Sequence, residues 1–183
     1  MTFRHRTLNL LGWGLLSALF LSVSYLSSCA YQVVGLPVHH QGVRQNVSVE
    51  PFTNLTRVPM LDVRTAQALR QSILASQTLN LVQALQAQQY IEGTIQEFRQ
   101  IPISFDRRDN AQQYRLEADI LIRLVETASR SLFFEQKLTV WAEYLVSPSG
   151  DVRETTIARE SAMFRLAQQF ANQSVGLLTA AMN

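Results

Sequence analysis

The chain has a single cysteine, Cys29, a single lysine, Lys137, and three histidines among 183 residues. One cysteine excludes an intramolecular disulfide and a thiolate metal cluster. His39 and His40 are adjacent, and adjacent side chains on an extended backbone point to opposite sides, so the pair is a poor chelate. The sequence contains no P-loop, no Gly-x-Gly-x-x-Gly, no Gly-x-Ser-x-Gly and no His-Glu-x-x-His. Glu117 and Asp119 share one strand face, but Arg115 and Arg123 flank them, as in a charge-paired wet surface. Nucleophile, base and metal cluster are all lacking, so the reading is of a non-enzyme without cofactor or metal.

An excess of charge is also lacking where it matters. The chain has 16 Lys plus Arg and 14 Asp plus Glu, but two of those cations, Arg4 and Arg6, precede an apolar run from Leu8 to about Leu21. Charged start, apolar run and small residues form a signal-peptide layout. Without that segment the cations and acids balance, which gives no warrant for a nucleic-acid-binding surface. The run ends in Leu26-Ser27-Ser28-Cys29, which resembles the lipobox of bacterial lipoproteins. That resemblance implies cleavage after residue 28 and acylation of Cys29. Several acyl chains, each buried methylene contributing about 0.8 kcal/mol, make a permanent anchor. Ala30 rather than Asp after the cysteine favours the outer membrane by resemblance to sorted lipoproteins.

Residues 29–45, with Gly35, Pro37 and Gly42, read as a lipidated tether, and residues 46–183 as one domain with a single core. Period-two alternation predicts a strand over Asn46–Phe52, ended by Pro51, and three longer strands. These run from Ile91 to about Pro102, from Gln113 to Val125 and from Leu132 to Val146. Asp106 to Asn110 forms a polar hairpin loop between the first two. Helical spacing predicts Leu61–Ser76, with Leu61, Ala66, Leu69, Ile73 and Leu74 on its apolar face. A longer helix, Arg153–Ala180, carries a stripe of Ile157, Phe164, Ala167, Ala171, Val175 and Leu178, widened by Leu166 and Phe170. The expected fold is α+β: a two-layer sandwich in which a four-stranded antiparallel or mixed sheet carries two helices on one face, in the order β-α-β-β-β-α. Trp141 falls by parity on the wet side of its strand with Lys137, Thr139 and Glu143. With Leu121 and Leu145 nearby it predicts an apolar patch that calls for a partner.

Several segments together resemble a known family. They are the lipobox, VSVEPFTNLT at 47–56, YIEGTIQEF at 90–98, ISFDRRDNAQQYRLEADILIRLVE at 103–126, and AEYLVS at 142–147 ahead of a long helix. This is similar to LptE, the family of lipopolysaccharide-assembly lipoproteins of the outer membrane. The resemblance implies a lipid-anchored protein at the periplasmic face or within the lumen of the LptD β-barrel. There it plugs the barrel, assists its assembly and takes part in moving lipopolysaccharide to the outer leaflet. In that family, basic residues in the loop between the second and third of the four strands and after the fourth are associated with lipopolysaccharide. The matching positions are Arg107, Arg108 and Arg153. Here Asp106, Asp109 and Asp151 stand beside them, an arrangement that predicts partial neutralisation. A solvated hairpin loop is the alternative for Arg107 and Arg108. VSVEPFTN also resembles the opening strand of periplasmic lipoproteins that activate peptidoglycan synthases, which keeps a regulatory function open.

Overall fold

The computed structural model describes residues 44–182. The expected signal segment 1–28, Cys29 and the histidine pair of the expected tether lie outside the described residues. Strands β1 (Gln45–Val49) and β2 (Thr53–Asn54) are followed by helix α1 (Leu61–Ala75) and strand β3 (Leu79–Leu81). Three long strands come next: β4 (Gln89–Phe105), β5 (Ala111–Glu126) and β6 (Leu132–Leu145). Helix α2 (Val152–Met182) closes the chain.

All six strands form one mixed sheet in the order β3-β1-β4-β5-β6, with β2 also paired to β4. The expected α+β sandwich is there, but the sheet has six strands rather than four. The two extra strands are only two and three residues long, too short for alternation to be legible. β1 runs parallel to β3 and β4, whereas β4, β5 and β6 are antiparallel.

The alternation in β5 works as its sequence predicts. Leu116, Ala118, Ile120, Ile122 and Leu124 are fully buried under the helices, and Arg115, Glu117, Leu121 and Arg123 stand on the opposite, helix-free face. β4 begins with Ile91, Gly93 and Ile95 toward the helices. A bulge between Ile95 and Glu97 then inserts one residue, so that Phe98 turns toward the core instead. One cluster joins these strands to Leu61, Leu69 and Ile73 of α1 and to Leu166, Phe170 and Leu178 of α2.

Helix α1 begins and ends within a residue of its expected bounds, but Leu74 points outward. The stripe on α2 holds from Leu166 onward, where Leu166, Ala167, Phe170, Ala171 and Leu178 are buried together with Met163 and Ser174, whereas Ile157 and Phe164 stand on the solvent side. α2 also closes the free edge of β6, where Arg165 Nη2 donates to Glu143 O at 2.7 Å and the Trp141 amide donates to Gln169 Oε1 at 3.4 Å. Covering an edge in this way removes a template for unwanted strand pairing.

Candidate functional site

The sheet register decides which loops meet. Ala111 follows the 106–110 hairpin loop, and the Val146 amide donates to Gln112 O at 2.9 Å, so the 147–151 loop and the start of α2 leave the sheet at that same end. Arg107, Arg108 and Arg153 are therefore on two loops at one end. Arg44 and the start of β1 are at the other end, beside Gln89 and Glu126.

The acids beside these arginines do not pair with them. Asp106 Oδ1 accepts from the amides of Arg108 at 2.7 Å and Asn110 at 2.9 Å. Asp151 Oδ1 accepts from the amides of Arg153 at 2.7 Å and Glu154 at 3.4 Å, as a helix N-cap does. Among the described residues, no ion pair involves Arg107, Arg108 or Arg153. The partial neutralisation expected from sequence is therefore not by contact: Asp106 and Asp151 are turned to backbone amides, and Asp109 forms no ion pair among the described residues. Those bonds from the Asn110 side chain and the Asn110 and Arg108 amides hold the Asp106 carboxyl below the usual carboxylate range.

The helix-free face presents a second set. Arg99 pairs with Glu97 at 2.6 Å and with Glu117, and lies 3.5 Å from Asp119. Asp119 also accepts from Thr139 Oγ1 at 2.7 Å and pairs with Lys137 at 3.0 Å. Its side chain is only 8% exposed, so the wet surface read from sequence is in part a buried one. Arg115 pairs with Glu143 at 2.7 Å and covers the Trp141 ring at 4.8 Å from its centroid. Trp141 is 47% exposed and Leu145 64%, while Leu121 is half-buried. The three do not form one patch. Asp119 and Thr139 lie between Trp141 and Leu121, and Glu143 with Arg115 lies between Trp141 and Leu145.

Sequence reasoning missed Arg70, Arg165 and Gln169, which act through backbone groups that no spacing rule exposes. Arg70 Nη2 donates to Val49 O at 2.8 Å and lines an open depression of about 470 Å³ with Ser48, Glu50, Leu81 and Leu85. A second depression, of about 320 Å³, lies at the arginine end between β6 and α2, lined by Gln113, Glu143, Leu145 and Arg165. Among the described residues, no cluster of three metal-ligating side chains occurs, and no helix is long and apolar enough to cross a membrane.

No curated protein matches the chain by sequence. Among solved structures, the hypothetical protein CT253 from Chlamydia trachomatis is similar at 13% identity and a TM-score of 0.54, over 76% of this chain and 98% of that one. Protein XCC0632 from Xanthomonas campestris is similar at 11% identity and a TM-score of 0.56, over 76% of this chain and 86% of that one. At these identities the likeness concerns the fold alone. The family comparison goes further: residues 44–174, from the first described residue through most of α2, match LptE, described as lipopolysaccharide-assembly. The chain belongs to the LptE family of lipopolysaccharide assembly.

Proposed function

We propose that this protein is an outer-membrane lipoprotein, anchored through acylated Cys29, that plugs the LptD β-barrel and helps deliver lipopolysaccharide to the outer leaflet. The observation that carries the reading is the placement of Arg107, Arg108 and Arg153 at one end of the sheet with no acidic partner among the described residues. Lipid A phosphates are anions, and a guanidinium fork meets a phosphate with two charge-assisted hydrogen bonds. Free guanidinium groups make those bonds without first breaking an ion pair.

The dimensions suit a plug. β5 has 16 residues, which at about 3.3 Å per residue spans roughly 50 Å. The hydrocarbon core of a bilayer is about 30 Å thick. A chain held lengthwise in a barrel lumen thus reaches both membrane faces, with the arginine loops at one and the start of β1 at the other. The charged helix-free face suits a lumen wall, which is polar in barrels of this kind, and Trp141 and Leu145 are the contacts we assign to it.

Two measurements test the reading. Purification of the tagged, anchored protein from its native membranes should recover an outer-membrane barrel in equal amount. Recovery of a peptidoglycan synthase without any barrel would replace this function with the regulatory one. Separately, an Arg107→Ala, Arg108→Ala, Arg153→Ala variant with an unchanged unfolding midpoint should lose lipopolysaccharide binding. Undiminished binding would remove the arginine loops from the mechanism.

A further inference from the structure

The hairpin loop is a tight, specified structure. The Asp106 amide donates to Asn110 O at 2.9 Å, and Asp106 O accepts from the Asp109 amide at 3.2 Å. Asp109 takes φ of 60°, the left-handed residue that closes a three-residue hairpin loop after its turn. Arg107 and Arg108 occupy the two central positions of that turn. A carboxylate one residue away could neutralise them, yet both Asp106 oxygens are engaged elsewhere: Oδ1 with the amides of Arg108 and Asn110, Oδ2 with Asn110 Nδ2 at 3.0 Å. The same division recurs on the neighbouring loop, where Asp151 takes the Arg153 amide and leaves the Arg153 guanidinium without an acid.

We propose that Asp106 is the positioning residue of the arginine loop: its carboxylate fixes the turn through the amides of Arg108 and Asn110, so that the guanidinium groups of Arg107 and Arg108 face the phosphates of an anionic lipid. This rests on the reading that the arginine loops bind lipopolysaccharide. The reason is one of ordering. A flexible loop must lose conformational freedom when it meets its ligand, whereas a loop held in advance binds without that cost. Asp106 therefore raises affinity for an anion although its own charge opposes the anion.

That opposition of sign makes the test decisive. Asp106→Ala and Asp106→Asn both remove the negative charge, but only the asparagine keeps an acceptor oxygen for the two amides. The probe is lipid A in micelles of a neutral detergent, titrated with the full chain, next to an Arg107→Ala, Arg108→Ala variant. Unfolding midpoints and hydrogen exchange at the Arg108 and Asn110 amides report the loop itself. Asp106→Ala should bind about tenfold more weakly, with faster exchange at both amides, while Asp106→Asn binds at least as tightly as the unaltered chain. Tighter binding by both variants would mean that Asp106 is only a neutralising charge and would overturn the proposal. Equal weakening by both would overturn it too, because the acceptor then does not matter. Unchanged binding by the double arginine variant would instead show that the loop is not the anion site, and the positioning role would fall with that reading.

Discussion

The Phe52 ring lies directly on Gly93, so closely that a Cβ added to Gly93 would come 2.3 Å from Phe52 Cε2. The same ring meets Phe170 in an edge-to-face pair, with centroids 5.9 Å apart and planes at 85°. Phe52 thus wedges the segment between β1 and β2 against β4 and α2. Gly93→Ala should therefore destabilise the fold by about 3 kcal/mol, since a buried ring packed against both Gly93 and Phe170 has nowhere to move. Urea unfolding measures it, and Phe52→Leu in the same chain should recover part of the loss through non-additivity. A Gly93→Ala midpoint equal to that of the unaltered chain would mean that the ring shifts freely.

Ser174 is fully buried in α2, and its hydroxyl has no hydrogen-bond partner among the described residues. An unpaired buried hydroxyl costs free energy that an alanine of nearly the same shape does not. Ser174→Ala should leave stability equal or raise it by about 1 kcal/mol, read as the thermal unfolding midpoint. A fall of similar size would show that the hydroxyl is satisfied.

The contrast between these residues and the elements around them shows what sequence can carry. β5 is legible because its period-two alternation persists from Tyr114 to Leu124, and α1 because a turn precedes a clear apolar face. β2 and β3 are not, because two or three residues carry no period. The α2 stripe is legible from Leu166 onward but not at Ile157 and Phe164, which lie on the same period yet stand exposed. The arginine positions were visible through family resemblance. What their acidic neighbours do was not, because an aspartate beside an arginine can bind its guanidinium or a nearby amide, and only the backbone path decides between them.

Acid should weaken the fold partly through Asp119. Burial pushes its carboxyl up, but the bonds from Thr139 and Lys137 and the charges of Lys137 and Arg99 outweigh this and hold it below its usual value of 3.8. A depressed carboxyl binds protons more weakly in the folded state than in the unfolded one. Its contribution is therefore complete above about pH 5 and declines as pH falls through the carboxylate range. Asp119→Asn should lower stability at pH 7, because Lys137 loses its counter-charge, and should flatten the further loss between about pH 5 and 3. Thermal unfolding of both chains across that range decides it; parallel curves would remove Asp119 from the acid response.

Trp141 offers a direct view of the helix-free face. The chain has two tryptophans, and Trp13 falls in the segment that the expected cleavage after residue 28 removes, so Trp141 is the sole indole of the processed protein. Its ring is half-exposed, with the Arg115 guanidinium held over it by Glu143. Arg115→Ala should uncover the ring, moving its emission to longer wavelength and increasing quenching by acrylamide. Assembly with the barrel should do the reverse, since an aromatic side chain at the centre of an interface is shielded from water. Leu145 lies beyond Glu143 on the same face and is still more exposed, so Leu145→Asp should weaken assembly without altering the isolated fold. If acrylamide quenches Trp141 equally in the free chain and in a stoichiometric complex, the helix-free face points away from the barrel wall, and the exposed side chains of α2, Ile157 and Phe164, become the surface to test instead.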